Sequence, residues 1–449
     1  MNFLDALRLA RLRAELKRHE RWPREKVLDY QTAALRRLRD YVYLKSDFYR
    51  EHHAGLYDRP LDELPTVNKA MVMEHFDRLV TDPRIRRADV ERHLNNPSGA
   101  FLDGYSISLS SGTSGHRGIC LYSGEEWLTF LASLERTNSW AGFHKPLVGK
   151  MKIAVVTSTS NVHVSAKSTS SLRRRRMPCL ALDANEPVPT ITQKLNAWQP
   201  EMLTTYASLL RSLADEQLAG RLRISPSIIF TGAEVLPPET RERAVRAWGP
   251  CVFDQYGTSE AGKMAAECRN HSGLHINEDL VILEVVDRRG QPVKAGEYGE
   301  KVLLTVLYQR TQPLIRYEIT DLARVQKGDC GCGLPFSRLE SIQGRVGEVL
   351  TMPSAAGGSM EVPPILFTLY LDDLPISAWQ IVQRPEGLEL LMAGAPPELR
   401  DEEVVEGMQG TLERFGIAYV PLAVRRVAEI PRAASGKYVR VRCDAAPSR

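Results

Sequence analysis

The chain contains no apolar run of about 18 residues, so no segment is long enough to cross a bilayer as a helix. It also lacks a strong charge of either sign, with 59 Lys and Arg against 55 Asp and Glu giving a formal +4 over 449 residues. A protein whose main partner is a polyanion carries a larger excess or a dense basic stripe, so no nucleic acid partner is expected, and no membrane partner either. Residues 1–26 alternate apolar and charged side chains at helical spacing, without the uninterrupted apolar core of a signal peptide, which points to the cytoplasm. Cysteine is scarce: seven, an odd number, argue for thiols or metal ligands over a disulfide framework.

What is present is the composition of an ordinary globular protein, 43% hydrophobic and 25% charged, at a length that exceeds one typical domain. Residues 1–95 read as mostly helical, with Leu4, Leu7, Leu9 and Leu12 and then Leu35, Leu38 and Val42 recurring on one face, interrupted by Pro23, Pro60 and Pro65. From about residue 150 the texture alternates. Strand-length apolar runs at 152–156, 202–206, 227–231 and 251–256 are separated by helical patterns such as 207–219 and 237–248. That alternation predicts a parallel sheet with crossover helices, whose ligands sit beyond the carboxyl ends of the strands. Runs at 280–286 and 300–307 read as more antiparallel. Beyond residue 346 a stretch rich in Gly, Pro and Ser (353–364) precedes strands at 378–383 and 388–392, a helix at 398–415 and a strand at 420–427. The fold class is therefore α/β: a large domain, divided at about residue 95 into a helical part and a core of mixed sheets (96–345), followed by a small α+β domain (346–449).

Between two alternating segments lies Ser108-Leu109-Ser110-Ser111-Gly112-Thr113-Ser114-Gly115-His116-Arg117-Gly118. It reads as the tip of a hairpin built to wrap phosphate: glycines let consecutive N–H groups converge on an anion, and hydroxyls add donors. It is not the P-loop of kinases and GTPases, because Gly112 and Gly115 stand too close, no lysine follows, and strand character resumes after the tip. Alone, such a loop is a common Ser/Gly connector.

Downstream, Tyr256-Gly257-Thr258-Ser259-Glu260, Arg316-Tyr317-Glu318-Ile319-Thr320-Asp321, Gly344-Arg345 and Pro431-Arg432-Ala433-Ala434-Ser435-Gly436-Lys437 follow in order. Taken singly, Tyr256 is a core aromatic, Asp321 a turn residue and Lys437 a surface lysine. With the Ser110–Gly115 loop, the five motifs in this order resemble the adenylate-forming ligases, in detail the phenylacetate-CoA ligase and CapK-like branch, over roughly residues 60–440. The resemblance implies that a carboxylate attacks the α-phosphate of ATP to give an acyl-adenylate and pyrophosphate, and that CoA, a carrier protein or an amine then takes the acyl group.

It also implies roles. Ser110, Ser111, Gly112, Thr113, Ser114 and Gly115 would hold the β- and γ-phosphates, with Arg117 standing where many relatives have lysine. Thr258 would touch the α-phosphate and Glu260 would hold Mg²⁺. Gly232, Ala233, Glu234, Asp254, Gln255, Tyr256 and Gly257 would form the adenine slot, Asp321 would bind the ribose hydroxyls, and Arg345, at the hinge, would also contact the nucleotide. Lys437, on a mobile small domain, would bridge ribose, the reacting carboxylate and the α-phosphate. Residues 346–348 are Val-Gly-Glu, without the usual acidic pair after Gly-Arg, so the hinge is expected to pivot differently.

A second constellation is Cys268, His275, Cys330 and Cys332, four donors of the type and number a closed structural Zn²⁺ site needs. His271 competes with His275 for the fourth position, and free thiols beside a core histidine are the bland alternative. The run Arg173-Arg174-Arg175-Arg176 reads as a solvated loop or as a dock for CoA phosphates. Two functions follow: an AMP-forming ligase acting on a carboxylate or another oxyanion, and, from a different class, a zinc-stabilised nucleotide-binding protein without activity. A homodimer is the base-rate expectation for its assembly.

Overall fold

The computed structural model describes residues 3–95, 101–102, 104–110, 118–143, 151–159, 164–174, 178–345, 350–362, 365–371, 373–431 and 439–444. They form two compact units, each assembled from segments distant in sequence: Met1–Met151, Thr159–Cys179 and Phe253–Ile342 in the first, Lys152–Ser158, Leu180–Val252 and Gln343–Arg449 in the second. The architecture is mixed α/β, as the alternation predicts.

The first unit begins with helices Phe3–His19 and Arg24–Lys45, the second started by Pro23 as its N-cap residue. Val27, Ala34, Leu38 and Val42, spaced 7, 4 and 4 apart, form the buried stripe that makes the second helix amphipathic. The first helix is pinned by a buried polar network, in which His19 Nδ1 lies 2.6 Å from Asp279 Oδ2 and Arg136 donates to the other oxygen of the same carboxylate at 2.7 Å. The expected loop hairpin is present: Ser106–Leu109 pairs antiparallel with Ile119–Tyr122. Helix Gly124–Trp140 follows it, started by a capping box in which Ser123 and Glu126 satisfy each other's backbone N–H groups. Behind these helices lies a sheet with the order Tyr298–Gly299, Asp321–Val325, Arg338–Arg345, Leu274–Ile276, Gly262–Glu267, Val252–Thr258. A further antiparallel sheet joins Val281–Val286, Lys301–Val306 and Tyr317–Ile319.

In the second unit the strand order is Ile228–Gly232, Met202–Thr205, Ile153–Thr157, Cys179–Asp183, with Met202–Thr205 parallel to both its neighbours. Helices Val188–Trp198, Ala207–Leu218 and Pro238–Trp248 occupy the crossovers. The carboxyl-terminal segment has its own four-stranded sheet, ordered Leu422–Val427, Gly387–Ala393, Ala378–Arg384, Val441–Cys443, packed around fully buried Trp379 with helix Asp401–Arg414. One expectation shifts here. The helix begins at Asp401, because residues 396–399 close a turn in which Leu399 N–H donates to the Pro396 carbonyl at 3.2 Å, and Arg400, in extended conformation, takes the N-cap position. The Gly/Pro/Ser-rich stretch contains an antiparallel pair, Leu350–Pro353 with Ser359–Val362, turned by Gly357 and Gly358 at φ +92° and +76°, a backbone that side chains rarely adopt.

Candidate active site

The loop hairpin closes at its root by reciprocal bonds: Ser110 N–H donates to the Gly118 carbonyl at 2.8 Å, and Gly118 N–H donates to Ser110 Oγ at 3.1 Å. Gly118 gives close packing here, since a Cβ would lie 2.8 Å from both Lys69 Cε and Ser110 Oγ and would push those side chains aside. Gln312 fixes the hairpin from below, accepting from Leu121 N–H and donating to the Ile119 carbonyl, both at 2.9 Å. The tip residues Ser111, Gly112, Thr113, Ser114, Gly115 and Arg117 lie outside the described residues, as does Lys437.

Strand Val252–Thr258 leads into a turn, residues 259–261, and strand Gly262–Glu267 returns antiparallel. Three consecutive carbonyls of that turn are held by side chains from elsewhere in the unit. Tyr122 hydroxyl donates to Ser259 O, Gln309 Nε2 to Glu260 O at 2.7 Å, and Tyr308 hydroxyl to Ala261 O at 3.2 Å. A turn so clamped cannot reorganise when charge develops beside it, which is the arrangement electrostatic catalysis requires. Burial raises the Tyr122 and Tyr308 hydroxyls above the usual phenol range, so both remain donors.

The clamped turn presents Thr258 and Glu260. Thr258 Oγ1 is buried and makes no hydrogen bond, a donor left unsatisfied inside the protein. Tyr317 hydroxyl lies 3.4 Å from Glu260 Oε1, and Tyr256 hydroxyl donates to Asp321 Oδ2 at 2.7 Å. Two carboxylates, each facing a tyrosine, thus come from motifs more than fifty residues apart in sequence. Gln255 is bonded to Asn138 at 2.8 Å and turns toward helix Gly124–Trp140, away from the Tyr256 side of its strand. Asp254 N–H donates to Glu267 at 2.9 Å, and a Cβ on Gly257 would strike Gly262 O at 2.5 Å.

Gly232, Ala233 and Glu234 belong to the second unit, at the carboxyl end of Ile228–Gly232. Ala233 has φ +66°, a conformation alanine adopts only under constraint, and Glu234 Oε2 accepts from Ser208 N–H at 2.9 Å. Arg345 ends strand Arg338–Arg345, and its side chain lies outside the description.

Sequence reasoning missed Lys69. It is the first residue of helix Lys69–Glu74, and its stem crosses Gly118 at the loop root. With Gly118, Cys120, Glu260, Gln312 and Tyr317 it lines a cavity of about 10 Å³, room for one water. The N-cap Asn68 signalled a helix start there, but nothing local to residue 69 signalled a neighbour fifty residues on.

The second constellation is also brought together. One donor atom from each of Cys268, His275, Cys330 and Cys332 lies within 4.8 Å of every other. Cys268 and Cys330 sulfurs are 3.4 Å apart, and Cys332 Sγ is 3.3 Å from His275 Nε2. Ligands of a tetrahedral zinc stand about 3.3–3.8 Å apart, given metal–ligand bonds of about 2.0–2.3 Å, so these two separations and the donor types suit that ion. His275 Nδ1 lies 3.1 Å from the Phe336 carbonyl, which leaves Nε2 free to face the sulfurs. His271, the competing ligand, instead stacks on Phe253 with centroids 4.5 Å apart.

No family model matches the chain. It is 26% identical to phenylacetate-coenzyme A ligase of Thermus thermophilus over 412 residues, 86% of this chain and 87% of that protein. Protein CapK of Staphylococcus aureus is 30% identical over 137 residues, 30% of this chain and 28% of CapK. Among solved structures, a 2-hydroxyisobutyryl-CoA ligase in the postadenylation state, in complex with R3-HIB-AMP, superposes with a TM-score of 0.71 at 19% identity, covering 95% of this chain and 92% of that one. The fold is that of the adenylate-forming enzymes. Its curated relatives lie in the phenylacetate-CoA ligase and CapK branch, as the ordered motifs indicate. The adenylate-forming fold also places the clamped turn, between two antiparallel strands, in a unit that carries both carboxylates.

Proposed function

We propose that the chain is an ATP-dependent, AMP-forming ligase that activates a carboxylate as an acyl-adenylate and passes the acyl group to CoA. The observation that carries this reading is the clamped turn, where a buried Thr258 hydroxyl without a partner stands beside Glu260 within the same unit as the Tyr256–Asp321 pair. A buried donor left unpaired costs about 1–3 kcal/mol, and a phosphate oxygen is the partner such a hydroxyl fits.

In this reading a carboxylate oxygen attacks the α-phosphorus, the α–β bridging P–O bond breaks, and pyrophosphate leaves with that oxygen. No proton need move. Thr258 meets the α-phosphate, and the loop from Ser110 to Gly118 with Lys69 meets the outgoing phosphates. Glu260 is assigned to Mg²⁺, which when bound would supply charge against the phosphates. Tyr256 provides a ring for the base and, through its hydroxyl, holds Asp321 where an ionised carboxylate would accept the two ribose hydroxyls. Lys437 is assigned to the charge that appears between carboxylate and phosphate, delivered by residues 346–449 acting as the small mobile domain. A structural zinc is assigned to Cys268, His275, Cys330 and Cys332.

CoA as acceptor is supported by the 2-hydroxyisobutyryl-CoA ligase, of which two structures contain both 2-HIB-AMP and CoA. The test is a panel of acids read by pyrophosphate release, with CoA and hydroxylamine as acceptors. Acid-dependent pyrophosphate with AMP is the expected outcome. ADP as product, or ATP binding without acid-dependent pyrophosphate exchange, overturns the reading.

A further inference from the structure

We infer that the acid activated by this enzyme carries a second anionic group, most simply a second carboxylate, and that Lys263 is the residue that reads it. The inference rests on the ligase reading, because it takes Thr258 and Glu260 as the phosphate end of the site.

Lys263 is the second residue of the strand that returns from the clamped turn. Its predecessor, Gly262, faces helix Gly124–Trp140 so closely that a Cβ would lie 2.8 Å from the Phe130 ring and 3.3 Å from Ser133 Oγ. Successive strand residues point to opposite sides, so Lys263 faces away from that helix. In register it pairs with Gly257, the residue before Thr258. Paired residues on antiparallel strands stand about 4.5–5.5 Å apart, so the lysine stem starts beside the proposed α-phosphate contact, next to a position with no side chain to fill the space. A stem of four methylenes starting there is long enough to reach the volume that a small acid bonded to that phosphate would occupy.

The ammonium forms no hydrogen bond or ion pair with any described residue. Burial brings it down to about 8 from the ordinary lysine value, and the charge of Asp254 opposes that shift without making contact. Lys263 is half-buried, so in the free protein its ammonium keeps some access to water. An anionic group on the substrate replaces that water, whereas a plain alkyl acid would seal the ammonium away from water and leave it unpaired. A site of this kind rejects the analogue lacking the polar group far more sharply than an apolar pocket rejects an extra methylene.

The experiment measures acid-dependent pyrophosphate release for matched pairs of linear and aryl acids, each pair differing by a second carboxylate. For the parent chain, kcat/KM is expected to favour the diacid by ten- to hundredfold within the pairs that react. In Lys263→Met the ratio should fall to one or below, and Lys263→Arg should restore part of it. General damage to the fold would lower both members of a pair together and leave the ratio unchanged. A parent chain that prefers the monoacids, or a ratio that survives Lys263→Met, overturns the inference while leaving the ligase reading intact. A parent chain that releases pyrophosphate with no acid removes both.

Discussion

The two polar clusters of the first unit differ in what they leave unsatisfied. Around Cys268, His275, Cys330 and Cys332 everything closes: four donors face one another, His275 is oriented by a carbonyl, and Val27, Trp140, Ala266 and Phe336 wrap the outside. Around the clamped turn the backbone is equally fixed, but Thr258 Oγ1 has no partner and Lys263 no bonded counter-ion. A closed donor set has no valence left for a substrate and serves the fold. An open one holds its groups rigid at a cost in the free protein, which binding recovers. The comparison says that rigid backbone with unpaired polar atoms marks chemistry, and rigid backbone with complete pairing marks structure.

The largest effect that sharpens it belongs to the closed cluster. Cys330→Ser or Cys332→Ser should lower bound zinc from one equivalent to a small fraction and drop the melting temperature on the order of 10 °C, the scale of losing a structural metal. Elemental analysis and calorimetry on the purified chain check this. Retention of zinc, or an unchanged melting temperature after its loss, would show that the cluster does not act as a structural site.

Next come the open cluster's acids and the tail lysine. Glu260→Gln keeps the shape and the carbonyl held by Gln309 but removes the charge, and Lys437→Ala removes the cation proposed to meet the reacting carboxylate. Each should reduce pyrophosphate release by about a hundredfold or more with little change in melting temperature. A variant that melts early instead would move its residue to the structural side of the comparison.

Much of this contrast was legible in the sequence, for physical reasons. Ligand sets and phosphate loops demand particular residue types at particular spacings, so Glu260, Asp321 and the three cysteines could be named in advance. The hairpin and the parallel strands followed from periodicity. Lys69, the three side chains that clamp the turn, and the choice of His275 over His271 were not legible, because each depends on a long-range meeting that no local pattern encodes. The start of 398–415 was read as helix three residues early, because the turn that follows Pro396 and Pro397 is set by backbone bonding that the spacing of apolar residues does not show.

His53 is a way to break the comparison. It is 1% exposed and its Nε2 has no hydrogen bond, yet it lies among Tyr43, Tyr49 and His52, where no described side chain suggests chemistry. Burial, with His52 and Arg39 adding to it, pushes it down to about 3. The folded chain therefore holds a neutral ring while the unfolded chain protonates below about pH 6.5, so stability is full above that value and falls as pH decreases toward 3. Between pH 6.5 and 5 the loss should be about 2 kcal/mol, and His53→Phe should flatten that part of the profile in denaturant titrations. If it does, an unpaired buried atom is a sign of chemistry only when the backbone beside it is clamped.

The smallest and most diagnostic effect is that of Tyr256→Phe. The ring that would stack on the base remains, and only the bond to Asp321 Oδ2 is lost. In a closed structural pair, removing one partner leaves a buried carboxylate oxygen unsatisfied and costs about 1–3 kcal/mol of stability. In an open site built for ribose, the carboxylate is 5% exposed in the free protein and is repartnered by ribose hydroxyls when the nucleotide binds. The variant should then lose stability without nucleotide, recover more melting temperature than the parent chain when ATP is added, and show KM for ATP altered by less than about tenfold, since a single neutral hydrogen bond is worth about 1 kcal/mol. Equal stabilisation of parent and variant by ATP would mean that Asp321 does not exchange its tyrosine for the nucleotide, and the Tyr256–Asp321 pair would then belong with the cysteine cluster, as part of the frame.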